Sequence, residues 1–228
     1  MKTKMKDGLV RLTAGFLTFL ATTLCAQDES FQRLNSNAAF TISVPAGSTS
    51  KYMTPAWGFN YGVGYNFNTR HSVIGEVMWN RLYATSESLA PIRAALQNNN
   101  INGNGNLVAL SVDYRLQFEG KVSSPYFILG PGVYYRGATL SQRVVVGNSV
   151  TCTPAWLWWG FTCESGLVTS HQSLASSSSI APGGNVGVGL SLRIPDSKYK
   201  FYIEARYHYA ANRGVPTHAI PITIGLRF

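Results

Sequence analysis

Residues 220–228 read Ile220-Pro221-Ile222-Thr223-Ile224-Gly225-Leu226-Arg227-Phe228, with every second side chain large and apolar and the intervening ones small, polar or basic. A period of two is the signature of a β-strand whose two faces meet different media. The same pattern fills Trp57–Phe67: Trp57, Phe59, Tyr61, Val63, Tyr65 and Phe67 share one face, and Gly58, Asn60, Gly62, Gly64 and Asn66 the other. Leu110, Val112, Tyr114, Leu116 and Phe118 alternate with Ser111, Asp113, Arg115 and Gln117. Val186, Val188, Leu190, Leu192 and Ile194 alternate with Asn185, Gly187, Gly189, Ser191 and Arg193.

Which face is wet decides the fold class. A soluble sandwich or barrel turns its apolar face inward and covers the other with many charges. Here only 13% of the 228 residues are charged and 12% are aromatic. The strand-borne charges are chiefly Glu76, Asp113, Arg115, Arg193, Glu204, Arg206 and Arg227, three acids against four arginines. Such a set suits a lumen network of ion pairs, with the rings facing lipid. A closed barrel permits this because strand pairing satisfies every backbone group.

Eight such segments are expected, near 36–45, 56–67, 72–82, 106–118, 124–136, 180–194, 200–210 and 218–228. The links after the second, fourth and sixth are short and the others long, as in an antiparallel up-and-down meander threaded from one side. Residues 137–179 are expected to extend the two flanking strands and to end in a cysteine loop; a further hairpin there would make ten strands. A short helix is expected over 86–97, begun by Ser88 with Pro91 in its first turn, followed by an Asn/Gly-rich connection to 106.

Residues 1–26 carry Lys2, Lys4, Lys6 and Arg11, then an apolar stretch, then Thr-Thr-Leu-Cys-Ala26. That is the layout of a secretory signal peptide cut after Ala26; Leu24 before Cys25 argues against lipoprotein processing. The expected domains are therefore a removed signal, 1–26, and a barrel, 27–228. Removing the signal leaves 15 basic and 9 acidic residues. Export places Cys152 and Cys163 where disulfides persist, and one bridge closing the extracellular loop is the expected use. Two thiols without paired histidines make a poor zinc site, so no metal is expected, and no cofactor.

The signal, the eight alternating segments and the terminal Gly225-Leu-Arg-Phe228 together resemble the small outer-membrane β-barrel family related to the transmembrane domain of outer-membrane protein A. The resemblance covers essentially the whole mature chain. It implies residence in the outer membrane of a Gram-negative-type bacterium, contact with its lipid and lipopolysaccharide, and insertion by the barrel-assembly machinery, whose recognition signal ends in Phe or Trp. No peptidoglycan-binding domain of the kind carried by the larger relatives is expected in this sequence. Some barrels of this size act on lipid A through His and Ser two residues apart. Here the residue two beyond His208 is Ala210, and His171-Gln-Ser173 falls in the long connection, so no catalysis is expected.

An eight-stranded lumen is just wide enough to be filled by its own side chains. Glu76, Asp113 and Glu204 are expected to pair with Arg115, Arg193, Arg206 and Arg227, with Asn60, Asn80, Tyr202 and His208 completing the donors and acceptors. The result is either a polar plug or a gated, porin-like path. Between Cys152 and Cys163 stand Trp156, Trp158, Trp159 and Phe161. They suit the barrel mouth and outer-leaflet interface, where Trp is favoured, or adhesion to an extracellular protein, a glycan or a second copy. Arg81, on the lipid-facing parity near a strand end, can snorkel to headgroups. Nucleic acid is not an expected partner after export.

Overall fold

A computed structural model describes residues 32–120, 122–155, 160–195 and 197–228, with the backbone alone at 145, 148–151, 153–155 and 160–169. The expected signal segment 1–26 and Trp156, Trp158 and Trp159 lie outside the described residues. The strands are β1 (Leu34–Pro45), β2 (Met53–Thr54), β3 (Ala56–Asn66), β4 (His71–Ala84), β5 (Ile101–Gln117), β6 (Ser123–Ala155), β7 (Gly160–Arg193), β8 (Lys200–Ala210) and β9 (Thr217–Arg227). All pairings are antiparallel. Sequential neighbours pair from β3 to β9, β1 pairs with both β3 and β9, and β4 pairs with β5, so eight long strands close a ring. The two-residue β2 adds only a short flap on the outer end of β4.

The alternation sorts the side chains as the period of two requires. Phe40, Ile42, Phe59, Val63, Val77, Leu110, Val112, Leu129, Val188 and Ile224 are exposed on the outer wall, whereas Asn37, Thr41, Asn60, Glu76, Asp113 and Arg206 are buried. Aromatic residues flank the apolar band. Trp57, Phe59 and Trp79 touch one another near the long-loop end, and Tyr65 with Phe67, and Phe118 with Phe127, near the short-turn end. Arg81 is exposed, its guanidinium carbon 5.6 Å from the centre of the Tyr83 ring. At the short-turn end, Thr69 Oγ1 donates to Glu119 at 2.8 Å and Arg70 Nε at 3.3 Å, joining two turns. Those two bonds hold the exposed Glu119 carboxyl below its ordinary range.

Three expectations need correction. The helix, α1, spans Ser86–Ala95 and is capped by Thr85, whose Oγ1 accepts from the Ser88 amide at 3.2 Å; Ser88 lies inside the first turn. Pro91 consequently falls in the second turn. The Asn/Gly-rich run is not all connection: β5 starts at Ile101, because the neighbouring β6 continues to Gln142 and supplies backbone partners for Ile101–Asn106. The cysteine segment is not a loop capping two strands. β6 and β7 run on through it, pairing as far as Ala155 with Gly160 and setting Cys152 opposite Cys163. The segment 137–179 thus belongs to one long hairpin, not to a fifth pair of barrel strands.

Glycines on the inner face make room for lumen rings. A Cβ on Gly189 would overlap the ring of Tyr126. Gly189→Ala is therefore expected to displace a fully buried ring at a cost of about 1–3 kcal/mol, seen as a lower urea midpoint of the refolded barrel in lipid vesicles.

Candidate functional site

The lumen is stacked in layers, and its centre is Arg206 of β8. The guanidinium meets three carboxylates. Nη2 donates to Glu76 Oε2 at 2.8 Å, and Nη1 lies 2.8 Å from Glu76 Oε1 and donates to Asp113 Oδ2 at 2.8 Å. Nε donates to Glu204 Oε1. Glu204 and Arg206 reach one another because residues two apart on a strand share a face. All four side chains are at most 3% exposed.

One cation does not satisfy the lone pairs of three carboxylates, and neutral donors from other strands supply the rest. Asn60 Nδ2 (β3) donates to Glu76 at 2.8 Å and Asn37 Nδ2 (β1) at 3.4 Å. Ser111 Oγ (β5) and Asn185 Nδ2 (β7) donate to Asp113 at 2.8 and 2.7 Å. Tyr126 (β6) donates its hydroxyl to Glu204 at 2.9 Å. The cluster therefore ties together β1 and β3 through β8. Around the remaining seam, the hydroxyls of Thr41 (β1) and Thr223 (β9) meet at 3.2 Å.

The other sequence-predicted residues are placed differently. Arg115 and Arg227 are buried in the lumen on the short-turn side, but no carboxylate meets them within 4.0 Å among the described residues. Arg115 Nη2 donates to Asn66 at 3.3 Å, while Nε and Nη1 have no partner. Arg227 stacks its guanidinium 5.1 and 4.9 Å from the rings of Tyr126 and Tyr202, and its Nε and Nη1 are also unpartnered. Arg193 does not join the lumen set: it is exposed at the last position of β7, where the strand gives way to the turn. Of the expected accessory groups, Asn60 bonds Glu76, Tyr202 accepts from Asn37 at 3.2 Å, and His208 meets Tyr134 at 2.9 Å. Asn80 is buried with neither amide atom bonded.

Sequence reasoning missed Tyr126, Tyr134, Asn37 and Asn185, and it missed an apolar layer. Met78, Leu82, Leu107, Ala109, Tyr134, Ala181, Ala210 and Ala219 pack together inside the long-loop end of the lumen. The signal was available as parity: Leu107 and Ala109 share the face of Ser111 and Asp113, not that of Leu110. Beyond the rim, β6 loses β5 as a neighbour after Gln142 and β7 gains β8 only at Gly183. The hairpin therefore continues outward as a two-stranded ribbon. Phe161 lies in it opposite Pro154; its side chain is outside the described set. His171 and Ser173 are exposed along β7. Among the described residues no group of three His, Cys, Asp or Glu could hold a metal, and no helix is long and apolar enough to cross a membrane, which says nothing of strands.

Comparison with known proteins agrees with this architecture. The family model for the outer membrane protein beta-barrel domain matches residues 14–228. Neisserial surface protein A is similar at 14% identity, covering 87% of this chain and 98% of its own, with a TM-score of 0.50. A major outer membrane protein from Thermus thermophilus is similar at 10% identity, covering 84% of this chain and 98% of its own, with a TM-score of 0.51. Ail, the attachment invasion locus protein of Yersinia pestis, is 18% identical over 87% of this chain and 100% of its own, with a TM-score of 0.48. No curated protein sequence matches. With a family model spanning nearly all of a closed, lipid-faced meander, the chain belongs to the outer membrane protein β-barrel family and resides in the outer membrane.

Proposed function

We propose that this protein is an outer-membrane interaction protein, in which a plugged barrel anchors a projecting ribbon that meets an extracellular protein or glycan. The observation that carries this is the ribbon itself. Between Val144 and Ala155, β6 pairs only with β7, a length of about 40 Å at roughly 3.3 Å per residue. Its strands have free backbone edges, which are ready to accept another strand. A bridge between Cys152 and Cys163 would lock the tip, a reading supported by their positions as direct cross-strand partners. The adjoining Trp156, Trp158, Trp159 and Phe161 then supply the large amphipathic contacts of an anchor.

The remaining assignments form one scheme. Residues 1–26 are the export signal, Gly225–Phe228 are read by the barrel-assembly machinery, and the outer belt contacts lipid and lipopolysaccharide. The role is non-enzymatic and uses no cofactor. The Arg206 cluster and the apolar layer above it act as the plug. A gated channel is the second reading, favoured by one observation: Arg115 and Arg227 keep unpartnered N–H groups beneath the carboxylates and offer them alternative cations.

Replacing residues 143–170 by a tight turn tests the proposal. The shortened protein is expected to retain heat-modifiable gel mobility and to lose most of the full-length protein's binding to cells or matrix. Undiminished binding would show that the ribbon is not the contact surface.

A further inference from the structure

The outer mouth of the barrel contains a partly open cavity of about 300 Å³, separate from the Arg206 cluster and independent of the ribbon's proposed role. Its floor is apolar: Met53, Leu82 and Leu107 line it, and Leu82 and Leu107 belong to the buried layer underneath. Its wall is polar and carries Arg136 with Ser177 and Ser179, which share the inward parity of β7 with Ala181. Arg136 Nη1 donates to the Val215 carbonyl at 2.6 Å and to Thr217 Oγ1 at 3.3 Å, which fixes the guanidinium against the link between β8 and β9. Its Nε and Nη2 meet no acceptor among the described residues, and no acidic side chain lines the cavity.

We propose that this cavity binds a small amphiphilic monocarboxylate, with the carboxylate on Arg136 and the serine hydroxyls and the apolar body on Met53, Leu82 and Leu107. A planar guanidinium held by one nitrogen and open along its Nε–Nη2 edge matches a carboxylate bidentately. An inorganic anion would leave the floor uncovered, and a neutral hydrophobe would strip water from Arg136 without replacing it. The space equals that of about ten liquid waters, so the ligand is on the order of ten non-hydrogen atoms.

The probe is 3-phenylpropionate, titrated by ligand-observed NMR against the full barrel in lipid nanodiscs, with 3-phenylpropanol, inorganic phosphate and empty nanodiscs as comparisons. Binding to the wild-type barrel is expected to be at least tenfold tighter than binding of the alcohol, with phosphate failing to compete. Arg136→Gln is expected to weaken it at least tenfold and Arg136→Lys by less. Ser177→Phe, which crowds the mouth while keeping the cation, is expected to weaken it at least tenfold as well. The proposal is overturned if the acid binds no better than the alcohol, if binding equals that of empty nanodiscs, if phosphate competes equally, or if folded Arg136→Gln or Ser177→Phe binds like wild type. Should Arg136→Gln fail to fold, the alcohol comparison and Ser177→Phe still decide.

Discussion

Arg206→Gln is expected to destabilise the barrel by at least about 3–5 kcal/mol, measured as urea unfolding of the refolded protein in lipid vesicles. The substitution removes the one cation that, among the described residues, Glu76, Asp113 and Glu204 share within 4.0 Å. Three carboxylates would then be left buried in the lumen, where an unpaired charge is costly. A variant that also neutralises the acids, Glu76→Gln, Asp113→Asn and Glu204→Gln, is expected to recover most of the loss, since removing a whole buried cluster costs far less than orphaning part of it. Recovery would show that the single variant suffers from leftover charge; a single variant as stable as wild type would show that the cluster does not hold the strands. The same proteins in planar bilayers separate plug from gate. Low, unchanged conductance accompanies a plug, whereas discrete new openings in Arg206→Gln would favour the channel.

The balance of charge in the lumen explains why this cluster was only partly legible. Three buried acids face three buried arginines, Arg206, Arg115 and Arg227, so the sequence count was close to neutral in the right place. The count carries no geometry. Glu76, Asp113 and Glu204 all fall within reach of Arg206 because pairing of β4 with β5 and of β7 with β8 sets their heights in the ring, and those registers depend on closure. Arg115 and Arg227 sit lower and find aromatic faces instead of carboxylates. The strands themselves were legible because a period of two survives without tertiary context, as in Trp57–Phe67 and Ile220–Phe228. Where glycines and asparagines alternate without large apolar side chains, as in Asn102–Asn106, the period gives no signal, and only the extension of β6 alongside makes a strand.

Leu110→Arg is expected to cost about 2–4 kcal/mol in vesicle unfolding, the penalty of a guanidinium near the bilayer midplane. Leu110 is 59% exposed on the outer wall of β5. It lies two residues below Val108, which pairs with Trp79 of the outer aromatic belt, and four residues before Tyr114, whose ring meets His71 at the inner belt. A side chain at that height cannot snorkel to either interface as readily as Arg81 can near its strand end. In a water-soluble barrel the same exposed position would accept arginine within about 0.5 kcal/mol, as surface substitutions do. Phe118→Arg provides the contrast, because Phe118 is exposed just past the inner end of β5. There the penalty is expected to fall to about 0–1 kcal/mol. A depth-dependent loss requires hydrocarbon around the middle of the strand, and equal tolerance at Leu110 and Phe118 would place water on both.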